Sequence, residues 1–193
     1  MYMHGIDRIL VNLDSLSKRN YFIPSYQRGY RWGKQQVVDL LDDILDYANG
    51  KGLGSGDQGY YCLQPVVVKS LTDEEKRRYD LEVDRVWYEV IDGQQRLTTL
   101  ALIRHYFNEH FTGRSKHLEP TIKYETREAH IGRVRVADNG DVVCEGVDRS
   151  SNIDLYHVVN AYGYIHEWFQ SFLSSGGNVY NLMSVFNEHV RVI

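Results

Sequence analysis

The chain has 193 residues, 42% hydrophobic and 25% charged, an ordinary globular composition with room for a normal core without a metal or disulfide staple. Its net charge of −4 speaks against a free-standing, non-specific nucleic-acid binder, because domains that track phosphates carry a basic excess. Asp7 and Arg8 interrupt the stretch where a signal peptide would be apolar, and no apolar run reaches the ~20 residues of a membrane helix, so a cytoplasmic protein without a membrane partner is expected.

In chain order, residues 6–16 read as a short strand running into a helical turn. Tyr21, Phe22 and Ile23 are extended, since the residue before Pro24 avoids the helical region. Residues 25–32 form a polar and aromatic loop. A helix follows from Lys34 to Ala48, with Val37, Leu41, Ile44 and Leu45 inward and Asp39, Asp42, Asp43 and Asp46 toward solvent. Asn49-Gly50 ends it, and closely spaced glycines make the next stretch a loop. Tyr60 to Lys69 is expected as one strand and the charged Leu71 to Asp80 as a surface excursion. Trp87 to Ile91 is a second strand, paired with the first. Asp92-Gly93 breaks it, and a helix runs from Gln94 to Phe111 with Leu97, Leu100, Ile103, Phe107 and Phe111 inward.

Thr121 to Tyr124 is a further strand, and the turn residues 138–141 between paired valines predict a hairpin. Two helices, Asn152 to Leu173 and Val179 to Glu188, flank Gly176-Gly177. Val190 to Ile193 opens a strand and reads as leading into more protein. Cys62 and Cys144 fit no CxxC pattern and lie in apolar runs, so both are expected as reduced core residues.

The junction of strand, Asp92-Gly93 and helix is the segment richest in chemistry. Glycine permits a sharp turn and a close ligand, and the first helical turn offers unpaired N–H groups and the positive end of the dipole, which together favour an anion. Arg96 adds a cationic fork, Thr98 and Thr99 add hydroxyls, Asp92 suits a metal ion or a water, and Gln94 and Gln95 suit a water or a base edge. A plainer reading stands beside it: Asp92 and Gln95 have the spacing of a capping box, and Arg96 could pair with Asp92. Within Ile23 to Trp32, Gln27 and Arg28 have no evident structural duty, whereas Trp32 is placed to staple the following helix. Tyr124 to Glu128 offers a cation and two carboxylates, or simply a solvated turn. Walker A, GxSxG and HExxH patterns are absent from the sequence.

Three segments in this order, FIPSYQRGYRW, VWYEVIDGQQRLTTLALI and KYETRE, resemble the amino-terminal domain of GmrSD restriction endonucleases, and the likeness covers nearly the whole chain. That resemblance implies an α+β fold with a ParB/sulfiredoxin-like mixed core sheet and packed helices, followed by the start of a further helical region. It divides the chain into a nucleotide-handling core at 1–130 and a hairpin plus helices at 131–193, continuing into a carboxy-terminal part. It implies binding and hydrolysis of a nucleoside triphosphate with a divalent metal, magnesium by expectation, in the restriction of modified foreign DNA. DNA contact comes through the full-length protein, and an HNH-type nuclease domain lies in the carboxy-terminal part or a separate chain.

Carried over by motif, Asp92, Gln94, Gln95 and Arg96 form the hydrolytic element, with Asp92 also the metal ligand. Gln27, Arg28, Gly93, Thr98, Thr99 and Arg127 contact the nucleotide. Two departures stand out: Gln64-Pro65 occupies the strand that usually carries a small glycine before its valines, and these residues hold no HNH signature. Two other functions remain open, a non-catalytic reader of modified DNA or nucleotide that regulates a nuclease, and a scaffold for another domain.

Overall fold

The structure, a computed structural model, describes residues 11–50, 59–113, 115–126, 128, 130–148, 150 and 152–192. β1 (Val11–Asn12) runs directly into α1 (Leu13–Ser17), where the Asn12 side chain accepts from Ser15 N at 2.9 Å. β2 (Asn20–Ile23) stops at Pro24, and α2 (Lys34–Ala48) buries Val37, Leu40, Leu41 and Ile44 while its four aspartates stay exposed. Leu40 rather than Leu45 completes that buried face; Leu45 is half-buried.

The stretch expected as one strand is two, β3 (Tyr61–Cys62) and β4 (Val67–Ser70). Pro65 lacks the N–H that a continuous ladder requires, and at this break the chain passes from one sheet to another. The charged excursion contains α3 (Asp73–Arg78), opened by a capping box: Glu75 Oε2 accepts from Thr72 N at 2.8 Å and Thr72 Oγ1 from Glu75 N at 3.3 Å. β5 (Trp87–Asp92), α4 (Gln94–His110) and β6 (Thr121–Tyr124) follow as the sequence predicts. So do the hairpin of β7 (Val134–Val136) and β8 (Val142–Cys144) and the long helix α5 (Ile153–Ser174). The last predicted helix changes character at its middle. α6 (Val179–Ser184) gives way to a π-helical turn (Val185–His189) that buries Phe186 before β9 (Val190–Val192).

The molecule is therefore the mixed α+β structure with packed helices that the sequence implies. Its central sheet has the order β4-β5-β2-β6, with β2 parallel to both β5 and β6 and β4 antiparallel to β5. A second sheet has the order β1-β9-β3, with β9 antiparallel to β1 and parallel to β3. α4 is buried on every side, not along one stripe, because α5 packs against it and its Thr98 meets Tyr124 of the central sheet. One hydrophobic cluster joins Leu97, Leu102 and Tyr106 of α4 to Val158, Tyr162 and Phe169 of α5 and to Val190 and Val192 of β9. A smaller cluster of Phe22, Leu71, Leu81 and Trp87 carries Tyr79, whose ring stacks on Phe22 at 4.3 Å.

Both cysteines are free, and Cys144 is buried as expected, but Cys62 is exposed. Cys62 sits in a two-residue strand paired on one side only, so the apolar run around it does not translate into burial. No described helix is long and apolar enough to cross a membrane.

Candidate functional site

β5, an inner strand of the central sheet, ends at Asp92, and Gly93 turns the chain into α4 with φ 86° and ψ 13°. This left-handed backbone suits glycine, and space demands it as well: a Cβ here would meet Pro65 O at 2.9 Å and the Val66 Cα at 3.0 Å. The first helical bond runs from Leu97 N to Gly93 O at 2.9 Å, and no side chain caps this end of the helix. The capping box that Asp92 and Gln95 could have formed is therefore not made.

Gln95 points elsewhere. Its Nε2 donates to Gly29 O at 3.0 Å, and its Oε1 accepts from Arg31 N at 2.7 Å and Trp32 N at 3.3 Å. Gln94 Nε2 donates to Arg28 O, and Gln27 Nε2 donates to Ile91 O at 2.7 Å. Three glutamine amides thus stitch the loop at residues 24–33 to the β5–α4 junction, because an amide carries both the donors and the acceptor that irregular backbone lacks partners for. One group is left over: Gln94 Oε1 is buried without a hydrogen-bond partner. The residue is only 4% exposed, so this acceptor stands at the helix start shielded from bulk water.

The two threonines serve the interior. Thr98 Oγ1 and Tyr124 OH lie 2.8 Å apart, as do Thr99 Oγ1 and Tyr30 OH, and both threonines are fully buried. Burial pushes the Tyr30 and Tyr124 phenols well above their ordinary range, so both remain protonated at any working pH. Arg96 is half-buried and closes the opposite wall: Nη1 donates to Pro65 O at 2.7 Å and Nη2 to Gln64 Oε1 at 2.5 Å. The Gln64-Pro65 departure seen in the sequence is thus the surface on which Arg96 rests. Burial lowers the Arg96 pKa and the nearby Asp92 carboxylate offsets part of that.

Asp92 and Arg28 are exposed. The structure thus brings Gln27, Arg28, Asp92, Gly93, Gln94, Gln95 and Arg96 to one junction, with Thr98 and Thr99 behind it in the core. Arg127 lies outside the described residues. No group of three or more His, Cys, Asp or Glu side chains able to hold a metal occurs among the described residues.

Several contributors escaped the sequence reading. Tyr26 OH donates to Glu89 Oε1 at 2.8 Å, and Ser25 N donates to Glu125 Oε2 at 2.7 Å, which holds the Glu125 carboxyl below its usual range. Glu89 is 8% exposed, and a carboxylate inside the apolar run of β5 was the available signal. Arg31 pairs with Asp154 at the start of α5, a contact across 123 positions that no local pattern reveals.

A mixed sheet whose strand–glycine–helix junction is laced to a glutamine-bearing loop defines the class: an α+β domain with an uncapped helix start beside that loop. Within that class, the chain belongs to the family of GmrSD restriction endonuclease amino-terminal domains, whose family model matches residues 11–189. Membership gives the chain a role in a restriction system. No curated protein matches it.

Proposed function

We propose that this domain binds a nucleoside triphosphate at the β5–α4 junction and hydrolyses it, or senses it, within a restriction protein directed at modified DNA. The observation that carries this reading is the start of α4. Its N–H groups have no side-chain cap, and exposed Arg28 and Asp92 flank it. Such an end draws anions, and phosphate oxygens are the acceptors that first-turn amides and a guanidinium fit. Gln94 Oε1, buried and unpartnered, supplies an acceptor for a water or a ligand N–H.

A lone exposed carboxylate fits a magnesium ion that arrives with the phosphates and keeps most of its water, not a preformed protein cage. Asp92 would hold it, and the ion would supply charge neutralisation on the phosphate oxygens. Around that group the chain's own residues orient and enclose. The glutamine stitches fix Arg28, and Arg96 fixes the Gln64-Pro65 wall.

Phosphate release from each common ribonucleoside triphosphate with magnesium tests the assignment, beside Asp92→Asn, an exposed and fold-neutral change. Turnover should fall about 100-fold in the variant, and Arg96→Ala should fall with it. Turnover unchanged in both variants would sink the assignment. A second reading, a non-catalytic reader of modified DNA or nucleotide, draws on Tyr26 and Ile91, 67% and 42% exposed beside Gln27, and on Val67, 40% exposed and paired with Asp92. Saturable binding by calorimetry with no phosphate release would favour it.

A further inference from the structure

Arg31 lies within the first sequence motif without an assigned role, yet its guanidinium forms an ion pair with Asp154, a residue of the first turn of α5. Asp154 is 2% exposed, and its backbone N donates to Asn152 Oδ1 at 2.8 Å, so its carboxylate is buried at a capped helix start. The same Arg31 Nη1 donates to Tyr30 O at 2.6 Å, which bends the side chain back over its own loop. Gly29 supplies an independent observation. A Cβ on Gly29 would fall on the Asp154 carboxylate, so the loop backbone lies directly against that side chain. Gly29 has no positive φ, so close approach and not backbone conformation calls for glycine there.

The two carbonyls that Gln94 and Gln95 grip, Arg28 O and Gly29 O, belong to this stretch. The loop is therefore clamped from two sides: by glutamines of α4 on one and by Asp154 of α5 on the other. We propose that Arg31 and Asp154 are positioning residues that let α5 set the conformation of the loop carrying Gln27 and Arg28, so that displacement of α5 loosens ligand binding at the α4 start. A helix packed on both α2 and α4 then acts as the element through which another part of a restriction protein is coupled to the ligand site. The ligand half of this inference rests on the function proposed above; the loop half does not.

Hydrogen exchange on the full chain, without ligand, separates the two. Asp154→Asn and Arg31→Met should each speed exchange of the loop amides at residues 25–33 about tenfold, with the double variant well short of the product of the singles, since both break the same ion pair. Amides of β8 should stay as in the wild type. Arg31 is partly exposed, so its variant folds even if the buried Asp154 change does not. Affinities for ATP and GTP with magnesium should weaken about tenfold in the same variants, again without adding in the double. Loop exchange unchanged in both single variants, or effects that multiply in the double, would overturn the clamp. A loosened loop with unaltered nucleotide affinity would overturn the coupling. If wild type binds no nucleotide, the functional reading and the coupling fall together, and the exchange arm still decides the clamp.

Discussion

Gly93 and the three glutamines set the junction at the scale of single residues. Gly93→Ala forces an L side chain to φ 86° and drives its Cβ against Pro65 O. The variant should lose about 1–3 kcal/mol in urea denaturation, and a wild-type midpoint would refute the strain argument. The need for this glycine was legible, because an apolar strand followed by Asp-Gly and a helical period leaves few other ways to turn. Other parts of the site were hidden. Gln94 and Gln95 looked free for water or a base edge, but their partners are backbone carbonyls of a loop 66 positions away, which no spacing rule exposes. Thr98 and Thr99 sat beside a proposed phosphate site in sequence, whereas helical geometry rotates both hydroxyls toward buried tyrosines. Cys62 misled for the opposite reason: its neighbours are apolar, but exposure of an edge strand depends on what lies across from it.

At the scale of elements, α4 is tied to the segment that follows it by His105. His105 Nδ1 lies 3.1 Å from Glu119 Oε1 and Nε2 lies 2.9 Å from Val134 O. A neutral imidazole has one N–H and cannot donate to both, so this geometry selects the imidazolium. Burial pushes the His105 pKa down, but Glu119 and the Val134 carbonyl outweigh it, and the net shift is upward from 6.5. For Glu119, burial pushes up, and His105 with Asn108 more than reverse this, so it lies below 4.5. The raised group contributes stability that is complete below about pH 6.5 and is lost as pH rises through the folded-state value. The lowered carboxylate contributes above about pH 4.5 and fails as pH falls through its folded-state value. Stability from this pair should therefore peak between those limits. From pH 6 to pH 9 wild type should lose on the order of 1 kcal/mol relative to His105→Gln in urea titrations, and parallel pH profiles of the two proteins would rule the pair out. The elements themselves were largely readable. α2, α4 and α5 follow apolar spacing, whereas α3 reads only as a charged surface excursion, although Thr72 and Glu75 have the spacing of a capping box. The all-round burial of α4 was not readable, since Arg104, His105 and Asn108 are polar letters that the structure places in the interior.

At the scale of the whole molecule, β9 binds the two ends of the described chain. It lies between β1 and β3, and Val190 and Val192 join the same cluster as α4 and α5. The family match covers residues 11–189, and β9 follows it directly. Removing residues 190–193 should strip β1 and β3 of their shared partner and two buried valines. The truncated protein should melt lower by several degrees, for a loss of about 2–4 kcal/mol, and be cut faster by protease near residues 11–17. An unchanged melting temperature would show the three-stranded sheet to be dispensable. Its strand order also fixes a sequence of events during synthesis. β1 and β3 leave the ribosome long before β9 exists, and each then carries open backbone groups that invite the wrong partner. In the finished sheet the two are not neighbours, because β9 lies between them. This sheet therefore closes only once β9 has been made, and its pace is set by how quickly β9 finds strands made well over a hundred residues earlier.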